Sequence, residues 1–169
     1  MLFAICSDSH DNLTNISKFL SYCHERKIDT IIHCGDVTED ETKTFFINNF
    51  QGKIYFVEGN ADISKQQKQK RTNRFQKIKY GPVPFLDLDF DNIKIAACHE
   101  KVKAKRLANS GKYHLVFYGH NHKPWQEKIN NSNVINPGNL AGMFYRASFA
   151  IYDTKDKKLE LKLLEKLEI

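Results

Sequence analysis

Five times in this chain an apolar run ends in a side chain suited to binding a hard or borderline metal. Residues 2–6 lead to Asp8-Ser9-His10, and residues 30–32 lead to Gly35-Asp36. Residues 53–57 lead to Gly59-Asn60, residues 93–98 to His99, and residues 114–118 to Gly119-His120-Asn121-His122. Open α/β sheets present their ligand-binding groups just outside the carboxyl ends of their strands. Five strand ends pointing polar groups the same way converge on one place, so this pattern limits the fold more than composition does.

The periodicity between the clusters supplies the elements. Residues 2–6 read as a short buried strand. Ile16, Phe19, Leu20 and Cys23 recur at three- and four-residue spacing, which predicts an amphipathic helix over residues 12–26. Residues 30–33 form a second strand and residues 42–49 a helix, with Glu39, Asp40 and Glu41 near its positive end. Residues 53–57 make a third strand, and this strand–helix alternation implies a parallel sheet with crossover helices. The second half is richer in strands. Residues 85–90 alternate, turn at Asp91-Asn92 and return through residues 93–98. A helix over residues 102–109 and a buried strand over 114–118 follow. A hairpin is expected across Asn130-Asn131, and a last pair of alternating segments around Lys155-Asp156-Lys157. The expected architecture is α/β: two mixed sheets packed face to face with helices outside, in one domain spanning residues 1–169.

Length and composition exclude several classes. A chain of 169 residues, 41% hydrophobic, buries a core without needing metal in order to fold. No apolar run approaches the roughly 20 residues of a membrane span, and the apolar start is too short for a secretory signal. The four cysteines, Cys6, Cys23, Cys34 and Cys98, form no Cys-x-x-Cys pair, so a thiolate zinc site is not expected. A cytoplasmic protein with buried thiols is the expectation. The net charge of +6 is uneven: residues 61–110 carry twelve basic and five acidic side chains. Residues 64–80 hold Lys65, Lys68, Lys70, Arg71, Arg74, Lys77 and Lys79 with no acid. Such a run attracts anions or nucleic acid, or is simply a solvated basic face.

Asp8, His10, Asp36, Asn60, His99, His120 and His122 make a mixed oxygen and imidazole set. A set of this size suits two divalent transition metals better than one. Asp8 and His10 lie on one tight turn, and Gly35 lets the Asp36 carboxylate approach a crowded centre. A carboxylate has two oxygens and can bridge two cations. Two neighbouring metals are a known device for attacking phosphate esters. His24, His33 and His114 have no comparable company and read as structural.

In order and spacing, Asp8-x-His10, Gly35-Asp36, Gly59-Asn60, His99 and Gly119-His120-x-His122 resemble the calcineurin-like metallophosphoesterase superfamily. Asn136-Pro137-Gly138 and the early motifs are similar to its small single-domain bacterial and archaeal phosphodiesterases. The resemblance implies a four-layer αββα sandwich. It implies one metal on Asp8, His10 and His122, a second on Asn60, His99 and His120, and Asp36 bridging them. Asp36, Asn60 and His99 then sit at the catalytic centre, where a metal-bridging hydroxide attacks phosphorus. It implies a small-molecule phosphate ester as substrate and two divalent ions, manganese before nickel, iron, zinc or cobalt.

The chain departs from the family at several positions. Ala61 stands where many members carry a leaving-group acid, so Asp62 is either an orienting group or a poor acid. Glu100-Lys101 follows His99, where Gly-His is common; Asp11 and Asn139 replace a usual glycine and serine. Two other readings remain: a non-catalytic scaffold resembling a retromer subunit, and a nuclease or phosphatase directed at nucleic acid by the basic stretch. A scaffold is expected to have lost some of Asp36, Asn60 and His99. The oligomeric state is open, a dimer included.

Overall fold

Strand by strand, side chains divide between two buried faces. A computed structural model of the chain describes residues 1–62 and 85–167. In β1 (Leu2–Cys6), Phe3 and Ile5 face one way and Ala4 and Cys6 the other, all fully buried. The same split separates Ile31 from Ile32 in β2 (Thr30–His33). It recurs for Ile95 and Ala96 in β5 (Ile93–Ala97) and Leu115 and Val116 in β6 (Leu115–Phe117). Strands buried on both faces read as continuous apolar runs, as parallel strands covered on both sides do.

These faces sort the apolar residues into three clusters, and three interfaces require four layers. The first joins Ile16, Phe19, Leu20 and Cys23 of helix α1 (Leu13–Glu25) and Phe46 of helix α2 (Asp40–Asn49) to Ala4, Cys6 and Ile31. The second, between the sheets, sets Phe3, Ile5 and Ile32 against Ile95, Leu115 and Phe117. The third packs Ala104 and Ala108 of helix α3 (Lys101–Asn109) on Ala96, Val116 and Val134. Phe3 meets Phe117 edge-on at 6.1 Å across the sheets, and Phe19 meets Phe149 at 4.9 Å beneath α1. The fold is the expected α/β sandwich: helices, sheet, sheet, helix.

Each sheet has five strands. The first runs β10 (Lys158–Leu163), β9 (Ser148–Asp153), β1, β2, β3 (Lys53–Phe56). There β1, β2 and β3 are parallel, in register Ala4 to Ile31 to Ile54, and β9 and β10 are antiparallel. The second runs β4 (Leu86–Phe90), β5, β6, β8 (Ser132–Asn136), β7 (Trp125–Ile129). Its central strands β5, β6 and β8 are parallel and its edges antiparallel. The turn between β4 and β5 places Asp91 and Asn92 at φ 52° and 64°, the left-handed pair that a two-residue hairpin favours.

The elements match the expected ones to within a residue or two. Helix α2 starts at Asp40, two residues before the expected position, because Glu39 is extended and serves as N-cap. Asp40 and Glu41 thus fill the first turn, where the helix dipole favours acids. The basic stretch at residues 64–80 lies outside the described residues. No helix of the described residues is long and apolar enough to cross a membrane.

Candidate active site

All seven singled-out residues lie in loops at the carboxyl ends of parallel strands. Asp8 and His10 follow β1, Asp36 follows β2, Asn60 follows β3, His99 follows β5, and His120 and His122 follow β6. Adjacent strands of each sheet bring these loops together, and the loops are laced by backbone hydrogen bonds. The N–H of Asp8 donates to Gly35 O at 2.9 Å and that of His10 to Asp36 O at 3.1 Å. Ala141 N–H donates to Asp8 O at 3.1 Å, and Gly119 N–H to His99 O at 3.0 Å.

The local backbone is costly. Asp8, His10, Asp36, His120 and His122 have φ of 50°, 39°, 60°, 73° and 58°. Residues with side chains rarely adopt this left-handed region, and clusters of such residues mark functional sites. Glycines make room beside them. A Cβ on Gly119 would collide with Ser7 Oγ and lie 2.6 Å from Asp8 Oδ2; one on Gly59 would collide with Asp36 Oδ1.

The side chains form two groups about Asp36. On one side, His10 Nε2 and His122 Nε2 are 3.2 Å apart, and His122 Nε2 is 3.5 Å from Asp8 Oδ1. On the other, Asn60 Oδ1 lies 2.9 Å from His99 Nε2 and 2.8 Å from His120 Nδ1, which are 3.3 Å from each other. Asp36 Oδ2 stands between, 3.4 Å from His99 Nε2 and 3.9 Å from His10 Nε2. Ligand atoms at about 2.1 Å from one metal sit about 3.0–3.4 Å from one another, so these separations fit metal coordination. The Asp8, His10, His122 group and the Asp8, Asp36, His99 group each offer ligand atoms within 4.8 Å of one another.

Hydrogen bonds behind the imidazoles set which nitrogen faces inward. His99 Nδ1 lies 2.8 Å from Cys34 O, so Nδ1 carries a proton, and in the neutral ring it is the Nε2 lone pair that faces the cluster. His122 Nδ1 faces Met143 O at 3.4 Å in the same sense. Asp8, Asp36, His99 and His122 are buried, His10 is half-buried, and Asn60 and His120 are exposed, so the cluster opens to solvent on the Asn60–His120 side.

Burial governs the charges. It pushes the Asp8 carboxyl up to about 6, with the nearby Asp36 charge adding and His99 opposing. Burial also acts to raise Asp36, but the hydrogen bond and charge of His99 outweigh it and hold Asp36 below the usual carboxylate range. His99 is raised in turn: its burial favours the neutral ring, yet Asp36 and Asp8 together override that. Without metal, buried acids and imidazoles lean on one another's protons. A bound metal ion would answer the same excess of inward-facing acceptors.

Supporting residues appear that strand-end logic does not find. Asp62 is buried and accepts four backbone N–H groups: Asp36 at 2.9 Å, Gly59 at 2.8 Å, Val37 at 3.1 Å and Thr38 at 2.9 Å. It fastens the Asp36 loop to the Asn60 loop, which is the orienting alternative expected for it. Asp11 accepts from Thr38 Oγ1 and from Glu39 N at 3.1 Å, binding the first two loops. Asn139 donates to His122 O at 3.1 Å and accepts from Met143 N at 2.9 Å. His33, expected to be structural, is fully buried under the site with Nε2 3.1 Å from Ser9 Oγ. Burial keeps it neutral, with its pKa lowered to about 3. Asp62 follows Gly59-Asn60 and Asn139 follows Pro137-Gly138 closely enough to be noticed in sequence, though not their bonding; no local signal marks His33.

A phosphodiesterase of Methanocaldococcus jannaschii is 31% identical over 98% of this chain and all of its own length. A solved archaeal phosphodiesterase structure superposes with TM-score 0.78 at 25% identity, covering 96% of this chain and 99% of that one. Vps29 from Chaetomium thermophilum shares the fold with TM-score 0.70 at 13% identity, over 96% of this chain and 94% of its own. Residues 1–157 match the calcineurin-like phosphoesterase superfamily domain, so the chain belongs to that superfamily of metal-dependent phosphoric ester hydrolases.

Proposed function

We propose that the chain is a dinuclear metal-dependent phosphodiesterase. The observation that carries this is the pair of three-residue groups, Asp8–His10–His122 and Asn60–His99–His120, set on either side of Asp36. In this reading each group holds one divalent transition metal and Asp36 bridges the two. Manganese leads; iron, cobalt, nickel and zinc also suit imidazole, carboxylate and carboxamide donors. Two bound dications supply Lewis acidity, which lowers the pKa of a water and neutralises charge on the phosphoryl oxygens.

The chain's own residues do the rest. Cys34 O and Met143 O hold the inward nitrogens of His99 and His122 as acceptors. Asp62 holds the Asp36 and Asn60 loops together from behind. Asn60 contributes a neutral oxygen on the open side, so that half of the site keeps its positive character toward a phosphate ester.

Leaving-group protonation is the weak point. Ala61 has no proton to give, and all four backbone donors around Asp62 occupy its oxygens. Aryl phosphodiesters should therefore be cleaved much faster than alkyl ones, and equal rates would refute this. The substrate is read as a small-molecule ester. The four buried free cysteines fit a cytoplasmic location. Loss of Asp36, Asn60 or His99 would favour a scaffold reading, and the sequence keeps all three.

The test pairs metal content with activity. The protein should take up two manganese ions per chain and hydrolyse bis(4-nitrophenyl) phosphate. Asp36→Asn and His120→Ala should each lose most of that activity while remaining folded. Wild-type rates in both variants would refute the assignment.

A further inference from the structure

Single exposed apolar side chains are ordinary on a protein surface. Phe144 is a different case. It is 87% exposed, yet its backbone is held at φ 62°, a conformation that disfavours a bulky residue. Tyr145 N–H donates to Met143 O at 2.7 Å, closing a three-residue γ-turn with Phe144 at its apex, a strained form of turn.

The turn is anchored to the site rather than hanging from it. Asn139 joins His122 O to Met143 N, and Asn12 Nδ2 donates to Ala141 O at 3.0 Å. Leu140 and Ala141 donate their N–H groups to Ser7 O and Asp8 O. The result is a ring whose centroid lies 5.6 Å from that of His122, tilted 48° to it, with most of its surface open. Nothing in the core requires a ring there, and the strain would be relieved by glycine.

We propose that Phe144 is a specificity-determining platform that stacks on an aromatic ring of the phosphodiester's non-leaving substituent, a nucleobase or aryl group, while the phosphate lies over the ligand cluster. This rests on the phosphodiesterase reading and adds the substrate class to it. Stacking of a base on an aromatic side chain tolerates many sequences and is lost on truncation to alanine, at a cost of about 5- to 100-fold in affinity.

Two esters with the same leaving group separate recognition from chemistry: thymidine 5′-(4-nitrophenyl phosphate) and ethyl 4-nitrophenyl phosphate. The wild type should prefer the nucleoside ester through KM. Phe144→Ala should raise KM for that ester by about 5- to 100-fold, leave kcat and the ethyl ester unchanged, and Phe144→Trp should restore the preference. Calorimetry of AMP and methyl phosphate binding to the manganese-loaded protein gives a readout without turnover, and the AMP preference should vanish in Phe144→Ala. Phe144→Gly, which suits the turn, should match Phe144→Ala in both assays with an undiminished melting temperature. Preferences that do not depend on the side chain at position 144, or a loss of manganese affinity in Phe144→Gly, would overturn the platform. If neither ester is cleaved while the AMP preference follows the ring, the hydrolase reading fails and the platform stands. If both are cleaved with no preference, the reverse holds.

Discussion

Replacing a buried proposed ligand can strengthen the metal-free fold, and Asp8→Asn is the sharpest case. Asp8 is fully buried, and its carboxyl rises from 3.8 to about 6, chiefly by burial. Between those two values the folded protein binds a proton that the unfolded chain does not. Stability of the metal-free protein therefore falls as pH rises through this window, and the penalty is complete above about pH 6. Two pKa units correspond to about 3 kcal/mol, and water entering the open side of the cluster reduces the measurable part to about 1.5–3 kcal/mol. Asparagine carries no such charge, and its oxygen can still accept from His120 N, which lies 3.0 Å from Asp8 Oδ2. Urea unfolding of chelator-treated protein at pH 7.5 should show Asp8→Asn more stable than wild type by about 1.5–3 kcal/mol. At pH 4.5 the difference should shrink to about a third. Saturating manganese should reverse the order, since only the wild type keeps the full ligand set. A variant that is equal to or weaker than wild type at pH 7.5 without metal would refute the argument that Asp8 is held charged against its surroundings.

Other perturbations test the frame around the ligands. Asp62→Ala strips the acceptor from four backbone N–H groups, and each one left unpaired costs about 1–3 kcal/mol. Its urea midpoint should fall clearly and phosphodiesterase activity should vanish; wild-type behaviour would show that water replaces the carboxylate. Gly119→Ala drives a methyl group toward Ser7 Oγ and Asp8 Oδ2, so manganese stoichiometry, measured by elemental analysis, should drop below that of the wild type. His33 is held neutral by burial, with its pKa lowered from 6.5 to about 3, so the unfolded chain alone takes up a proton as pH falls below 6.5. Stability should decline across that range, and His33→Gln should flatten this acid limb in pH-resolved unfolding.

Much of the architecture is legible in the chain because its signals are local and repeated. The runs ending at Cys6, His33 and Phe117 announce buried strands, and the Asp91-Asn92 and Asn130-Asn131 pairs announce hairpins. The clustering of the proposed ligands is legible for a topological reason: a residue just past a parallel strand has little choice about which end of the sheet it occupies. What holds the ligands is harder to read. Asp62 acts through backbone amides on two loops far apart in sequence, and Asn139 through one carbonyl and one amide. Such contacts depend on left-handed backbone at Asp36, Thr38, His120 and His122, which residue preferences argue against. The exposed ring of Phe144 carries no periodic signal either; its meaning comes from the turn beneath it and the imidazole beside it.

The three apolar interfaces of the sandwich each contain a thiol. Cys6 and Cys23 lie under the paired helices, Cys34 between the sheets, and Cys98 beneath α3. Burial raises Cys6 and Cys34 well above the ordinary thiol range and Cys98 to about 12, so none is reactive while its interface stays shut. The molecule thus carries its own set of layer-by-layer reporters. The order in which an alkylating reagent labels Cys98, Cys34 and the Cys6–Cys23 pair records the order in which the seams part, with no probe added.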